Sequence, residues 1–114
     1  MNLHAQNKSH LANLVKLAYA DGVITEIEEH LLLSIAHRLG LDQVDIDSIK
    51  EHYNDIIFHL PEQYDERIEQ FTDLLTLMAV DDNIDEQELK HIKSIGEKYQ
   101  LTERTIEEMI NRFR

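Results

Sequence analysis

Apolar residues recur at helical spacing along almost the whole chain. The first helix face follows the i, i+3, i+4, i+7 pattern and is formed by Leu11, Leu14, Val15 and Ala18, which predicts a helix that ends near Asp21. The same spacing predicts further helices around 31–39, 46–57, 68–78, 89–99 and 106–113. Gly40 suits the C-terminal end of the second helix, and Pro61, the only proline, suits entry to the fourth. The pattern therefore predicts an all-α, single-domain helical bundle of about six helices.

The sequence also repeats itself at an offset of 60 residues. Nine identities support this alignment, namely Leu17/Leu77, Asp21/Asp81, Ile24/Ile84, Glu26/Glu86, Glu28/Glu88, Ser34/Ser94, Ile35/Ile95, Leu41/Leu101 and Ile46/Ile106. We therefore expect residues 1–114 to form one domain of two related units, approximately 11–57 and 68–114, with an approximate internal two-fold.

Both units carry N-terminal helix signals at corresponding places. Thr25-x-x-Glu28 and Asp85-x-x-Glu88 match the capping box, in which the first side chain accepts from a free backbone N–H and the glutamate reaches back to the cap. Asp42 and Thr102 are predicted N-caps of the third and sixth helices.

Charge and composition limit the classes of partner and of chemistry that this protein can have. With 23 Asp and Glu against 11 Lys and Arg, the formal net charge is −12, which disfavours nucleic acid and anionic lipid and favours cations or basic protein surfaces. The absence of cysteine excludes disulfides and thiol catalysis. The apolar runs are shorter than the roughly 20 residues of a membrane span, and the first residues do not resemble a signal peptide. We expect a cytoplasmic protein with no nucleic-acid partner and no direct membrane insertion.

The stretch LAYADGVITEIEEHLL, residues 17–32, matches the second half of an EF-hand calcium loop. A complete EF-hand is disfavoured, because Leu17 and Tyr19 stand where two ligands belong. Helix chemistry explains most of the acids, since Glu26 and Glu28 fall in a first turn, where the helix dipole favours negative charge.

Helix chemistry does not explain Asp21 and Asp81. An acid at the last turn of a helix faces the negative end of the dipole, and the conflict occurs in both units. If the units pack face to face, carboxylates converge from the two turns, and hard oxygen ligands of this kind suit Ca²⁺, Mg²⁺ or Mn²⁺. The predicted metal ligands are Asp21, Glu28, Asp81 and Glu88, with Glu26 and Glu86 as outer members.

The seven histidines show no H-E-x-x-H spacing, and Glu88-x-x-His91 supplies only half of a di-iron pattern, because its counterpart is Glu28-x-x-Leu31. No glycine-rich phosphate loop and no nucleophile elbow is present. A non-enzymatic protein is therefore expected. Two alternatives stay open, a carboxylate-based metalloenzyme and a plain helical scaffold or homodimer without metal.

The two motifs together resemble a known family. LAYADGVITEIEEHLLLSIAHRLGL is similar to the hallmark segment of TerB-like (tellurite resistance protein B) domains, roughly A-x-A-D-G-x-I-x-x-x-E followed by apolar residues and L-G-L. LMAVDDNIDEQELKHIKSIGEKYQL resembles the family's second acidic turn, with Asp82 in place of the usual glycine. The resemblance covers nearly the whole chain.

The resemblance implies an all-helical, pseudo-symmetric domain linked to tellurite and stress resistance. It implies a non-enzymatic protein partner, working in membrane-associated stress complexes, with an acidic cluster that binds a divalent cation or a partner. Carried over by position, that cluster consists of Asp21, Glu28, Asp81 and Glu88.

Overall fold

A computed structural model of the chain describes residues 3–19, 24–80 and 86–113. These residues form six α-helices and no strand, which confirms the predicted all-α fold. The helices are α1 (Leu3–Ala18), α2 (Glu26–Arg38), α3 (Gln43–His52), α4 (Tyr64–Ala79), α5 (Glu86–Lys98) and α6 (Glu103–Arg112). A short 3₁₀ helix, Tyr53–Asp55, follows α3. None of the helices in these residues has the length and apolar character that crossing a membrane requires.

The helices form two compact units, Met1–His59 and Leu60–Arg114. In the first unit, α1 packs against α2, α3 and the 3₁₀ helix, and α2 packs against α3. In the second unit, α5 packs against both α4 and α6. Each unit thus contains three helices with its own buried apolar side chains.

The helix bounds recur between the units. Those of α5 and α6 are those of α2 and α3 shifted by 60 residues, while α4 is as long as α1 and is shifted by 61. Buried positions correspond at an offset of 60 in every helix pair, as in Leu14/Leu74, Leu32/Ile92, Leu41/Leu101, Ile46/Ile106 and Ile49/Met109. The apolar pattern therefore marks the same packed face of each helix in both units.

The N-terminal caps form as predicted wherever the structure describes them. The Thr25 N–H donates to Glu28 Oε1 at 3.0 Å, and the Glu28 N–H donates to Thr25 Oγ1 at 3.2 Å. Asp42 caps α3 in a second capping box, with Asp45, and Thr102 Oγ1 accepts from the Thr105 N–H at 3.2 Å. The predicted Asp85 cap lies outside the described residues.

The second helix of each unit ends in the same hydrogen-bonded turn. Leu41 and Leu101 donate their N–H groups back to the carbonyls of Ala36 and Gly96, at 2.8 and 3.2 Å. The residues before these leucines, Gly40 and Gln100, have φ values of 78° and 59°. Both turns are Schellman motifs, which need a left-handed residue at this position. Glycine adopts that conformation without steric cost, whereas glutamine does not.

The predicted extent of the third helix is wrong, because α3 ends at His52 and Ile56 and Ile57 lie beyond the 3₁₀ helix. Ile57 is 76% exposed, so the apolar pattern there does not mark a packed helix face. The chain becomes extended at Ile56, and the His59 N–H donates to Ser9 Oγ of α1 at 2.8 Å. This contact to α1 replaces the backbone bonds that a longer helix would have made.

In the second unit, side chains of neighbouring helices pack closely against α5 at Gly96. A Cβ added to buried Gly96 would lie 2.7 Å from Ile106 Cδ1 and 3.1 Å from Phe71 Cζ. Nearby on the chain, the Tyr99 hydroxyl donates to Gln70 Oε1 at 2.9 Å, and both side chains are buried. The corresponding position to Gly96 in the first unit is Ala36, which is fully buried.

Candidate functional site

The acidic residues predicted to bind a metal lie in two turns or directly after them, and the structure describes only those that come after the turns. Asp21 and Asp81 lie outside the described residues. Glu26 and Glu28 are in the first turn of α2, and Glu86 and Glu88 are in the first turn of α5. The prediction that four carboxylates converge therefore stays a prediction.

Glu28 and Asp73 are the two buried acids of the described residues, and Glu28 is the one beside an acidic turn. The residue is only 5% exposed, although a buried carboxylate is costly unless hydrogen bonds or charges compensate it. One oxygen, Oε1, accepts from the Thr25 N–H in the capping box. Within residues 3–19, 24–80 and 86–113, no Lys, Arg or His makes an ion pair with it. The positive end of the α2 dipole is its remaining compensation there.

The C-terminal end of α3 contacts both flanks of the first acidic turn. Tyr53, which follows α3, stacks on Tyr19 with ring centroids 5.7 Å apart and an interplanar angle of 24°. Lys50 donates to both carboxylate oxygens of Glu29, at 2.7 and 2.6 Å. Because Tyr19 follows α1 and Glu29 is in the first turn of α2, the ends of the two helices that border the turn are each joined to α3.

The second acidic turn lacks these two contacts in the described residues. The positions that correspond to Glu29 and Lys50 hold Leu89 and Ile110, and the position of Tyr19 holds Ala79. Leu89 and Ile110 instead line a groove of about 210 Å³ between α5 and α6, together with Lys93, Glu107 and Asn111. Glu88 is half-buried in the adjacent first turn of α5, and Glu86 is exposed.

Side chains that could bind a metal are dispersed over residues 3–19, 24–80 and 86–113. No three or more His, Asp or Glu side chains there are grouped so as to hold a metal ion. The half di-iron pattern Glu88-x-x-His91 lies on α5, where His91 is exposed, and it gains no further ligand within this part of the chain. A site that binds a cation therefore requires oxygens from the turns themselves.

Sequence reasoning missed both contacts of α3, because each joins residues that are far apart along the chain. A comparison of the two repeated units contains a signal for the ion pair. Glu29 and Lys50 carry opposite charges, and both are replaced by apolar residues at the corresponding positions 89 and 110. A pair of residues that changes together between two related units indicates a contact between them.

Comparison of the chain with protein-family models, curated proteins and solved structures gives no match. The resemblance to TerB-like domains thus depends on the two acidic motifs and their spacing.

Proposed function

We propose that this chain is a non-enzymatic TerB-like binding module whose acidic turns bind a divalent cation, Ca²⁺, Mg²⁺ or Mn²⁺. Through the family resemblance, such a module acts in tellurite or stress resistance as a partner of other proteins. The observation that carries the cation proposal is the buried carboxylate of Glu28, directly after the acidic turn of the first unit.

The geometry of Glu28 suits a ligand. The Thr25 N–H holds one carboxylate oxygen and thereby fixes the orientation of the group. Ligands of metal ions are commonly held in place by such an additional hydrogen bond, which leaves the other oxygen for the metal. A hard cation would also neutralise a buried charge that no Lys, Arg or His of the described residues neutralises.

The proposed binding is weak. The described residues supply no preformed group of three ligands, and Leu17 and Tyr19 occupy two EF-hand ligand positions. Sites with few protein oxygens leave water in much of the coordination sphere, and weak calcium modules bind at about 10⁻⁴–10⁻³ M. The absence of a nucleophile elbow and of a phosphate loop supports the non-enzymatic assignment.

The test is an NMR titration of chelator-stripped protein with Ca²⁺, Mg²⁺, Mn²⁺ and Zn²⁺, with calorimetry in parallel. The sharpest variant is Glu28→Gln, because glutamine also serves at this position of a capping box and removes only the charge. We expect it to preserve the helical circular dichroism and to weaken binding by at least about tenfold, the size of effect seen when a metal's surroundings are altered. Asp21→Asn and Asp81→Asn test the two turns separately.

The outcome that rejects the proposal is equally specific. If no cation at up to about 10 mM shifts the amide signals of residues 24–29 or 86–91, the acidic turns are not cation sites. The net charge of −12 then favours a basic protein surface as the ligand, and a lysine-rich peptide is the probe for that alternative.

A further inference from the structure

We propose that copies of this chain associate with one another through two exposed helix faces of opposite charge. One face, on α5, carries lysines, and the other, on α3, carries carboxylates. In the complex, the lysine face of one copy lies against the acidic face of another. All the residues involved lie outside the acidic turns, so the proposal is independent of cation binding.

The lysine face consists of Lys90, Ser94 and Lys98. Their spacing of four residues places them in one row along α5, over about 12 Å, and all three are exposed. Within the part of the chain that the structure describes, neither lysine makes an ion pair or a hydrogen bond. The row therefore keeps two unpaired positive charges there, although the chain has a net charge of −12.

The helix dipole explains only one end of this row. Lys98 is in the last turn of α5, where the negative end of the dipole stabilises a cation. Lys90 lies just beyond the first turn, at the other end of the helix, and gains nothing from the dipole. A partner with negative charges would pair with both lysines at once.

The acidic face lies on α3 and consists of Val44, Asp47 and Glu51. Helical spacing of three and four residues places them side by side, and all three are exposed. Val44 is 74% exposed, which leaves most of an apolar side chain in water beside two carboxylates. The face thus offers negative charge together with an uncovered apolar side chain.

No lysine or arginine of the described residues neutralises this face. Lys50, the one lysine of α3, donates to Glu29 of α2 instead. His52 Nε2 lies 3.9 Å from Glu51 Oε2, and a contact of this length between exposed side chains contributes little. The negative charge of the face is therefore left for a partner.

The two faces complement each other in charge and in apolar character, which argues for a second copy as the occupant. The apolar stems of Lys90 and Lys98 flank the small Ser94 side chain. Such stems cover apolar surface while their ammonium groups reach nearby carboxylates, so Val44 is covered as the charges pair. The exposed acids of α6 match less well, because arginines lie among them.

Association of this kind is weak, because each copy has a net charge of −12. At about 0.15 M salt, repulsion between charges more than about 8 Å apart is largely screened, whereas charges in direct contact still attract. We expect a dissociation constant of about 0.1–1 mM, as suits a small exposed interface with few charge pairs.

The experiment uses the full chain in the presence of a chelator, which excludes bridging by a metal. Sedimentation equilibrium and NMR spectra are recorded from about 0.02 to 1 mM protein, a range that spans the expected constant. We expect the mean mass to rise with concentration, and the amide signals of residues 44–51 and 90–98 to shift with it.

Charge reversal on the lysine face tests the pairing. In the double variant Lys90→Glu with Lys98→Glu, two acidic faces meet, and we expect association to weaken by at least about tenfold. The matched control is Arg104→Glu with Arg112→Glu on α6, which lowers the net charge equally. We expect this control to weaken association much less.

Reversal of the acidic face allows a decisive mixing experiment. The double variant Asp47→Lys with Glu51→Lys is also expected not to associate with itself, although its net charge is closer to zero than that of the wild type. When it is mixed with the reversed α5 variant, opposite charges face each other again, and we expect the mixed pair to associate at least as tightly as the wild type. Circular dichroism checks that each variant keeps its helical fold.

Three results overturn the proposal, and each leaves the cation function standing. A wild type that remains monomeric up to about 1 mM excludes self-association. If a glutamate-rich peptide then shifts the amides of residues 90–98, the lysine face binds another acidic protein instead. Equal weakening by the α5 and α6 variants shows that net charge alone governs association. Failure of the mixed variants to associate excludes the pairing of α5 with α3.

Discussion

The two three-helix units have helices of the same lengths but different contacts at their acidic turns. In the first unit, an aromatic stack and an ion pair join the end of α3 to both borders of the turn. In the second, apolar residues at the corresponding ion-pair positions line an open groove between α5 and α6. A repeated motif therefore does not repeat its surroundings, since residues far away in sequence decide which contacts the helix ends beside each turn make.

The units also differ in how closely their helices approach, and Gly96→Ala is the strongest way to test that difference. The new Cβ would lie 2.7 and 2.8 Å from Ile106 Cδ1 and Cγ1. Overpacking costs about 1–3 kcal/mol, and the better helix propensity of alanine returns about 1 kcal/mol. We expect urea denaturation to show a net loss of up to about 2 kcal/mol in the free energy of unfolding.

The matched change in the first unit is Ala36→Gly, which removes a fully buried methyl group and is also expected to destabilise. Combining Gly96→Ala with Ile106→Val removes Cδ1, the nearest atom, and should recover part of the loss. A Gly96→Ala variant as stable as the wild type would show that α5 and α6 do not need this close approach.

Substitutions just after α2 and α5 are expected to change the free energy of unfolding less, and in opposite directions in the two units. Gly40→Ala places a Cβ on a residue with φ of 78° and should lower the free energy of unfolding by about 1 kcal/mol, since left-handed backbone disfavours side chains. Gln100→Gly relieves the same strain at φ of 59°. We expect it to stabilise the protein by less than about 1 kcal/mol, because glycine also increases the entropy of the unfolded chain.

Thermal and urea denaturation of both variants provides the measurement. Asn at position 100 is a useful intermediate, because asparagine tolerates the left-handed region better than glutamine. Destabilisation by Gln100→Gly would contradict the steric account and indicate that the glutamine side chain itself contributes to stability.

The weakest of the predicted effects is the pH dependence of the N-terminal caps of α3 and α6. The pKa of Asp45 is lowered, chiefly because its carboxylate accepts from the Asp42 backbone N–H at 3.0 Å, with help from the Asp42 side chain and the charge of Lys8. A group whose folded pKa is lowered stabilises the protein fully above its unfolded pKa, about 3.9 for Asp, and loses that contribution as pH falls through the folded pKa.

In the second unit, Thr102 and Thr105 occupy the corresponding cap and do not titrate in this range. The protection of the first amides of α3 against hydrogen exchange, relative to their intrinsic rates, should therefore fall below about pH 4 through the loss of the Asp45 carboxylate, while protection at the start of α6 changes less. The variant Asp45→Thr should reduce the acid sensitivity of α3. An equal loss of protection in the two helices would show that the whole fold, and not this cap, responds to acid.

Local features of the fold were predictable because their physical basis lies within a few residues. The capping box of Thr25 and Glu28 links residues three apart, and the turn at Gly40 depends on one backbone conformation. The first-turn position of Glu28 followed from the same signals. Its burial did not follow, since exposure depends on what the rest of the unit places over it.

The remaining features depend on contacts between distant parts of the chain. Lys50 and Glu29 are 21 positions apart, and Tyr19 and Tyr53 meet only because α1 packs beside the 3₁₀ helix. The apolar pattern also predicted too long a third helix. Spacing alone does not distinguish a helix from an extended segment such as the one beginning at Ile56. Asp21 and Asp81 lie outside the described residues, so their role as ligands stays a prediction.

The amino-acid pattern alone specifies an all-α protein, the packed faces of its helices, and the residues that start and end several of them. These properties follow from helical periodicity and from hydrogen bonds between near neighbours, which do not need the rest of the fold. The burial of Glu28, the two contacts of residues 50–53 with the borders of the first turn, and the close approach of Gly96 to Ile106 and Phe71 emerge only when the chain folds. Burial and contact are properties of neighbours brought together by folding, and they distinguish the helix ends beside the two turns.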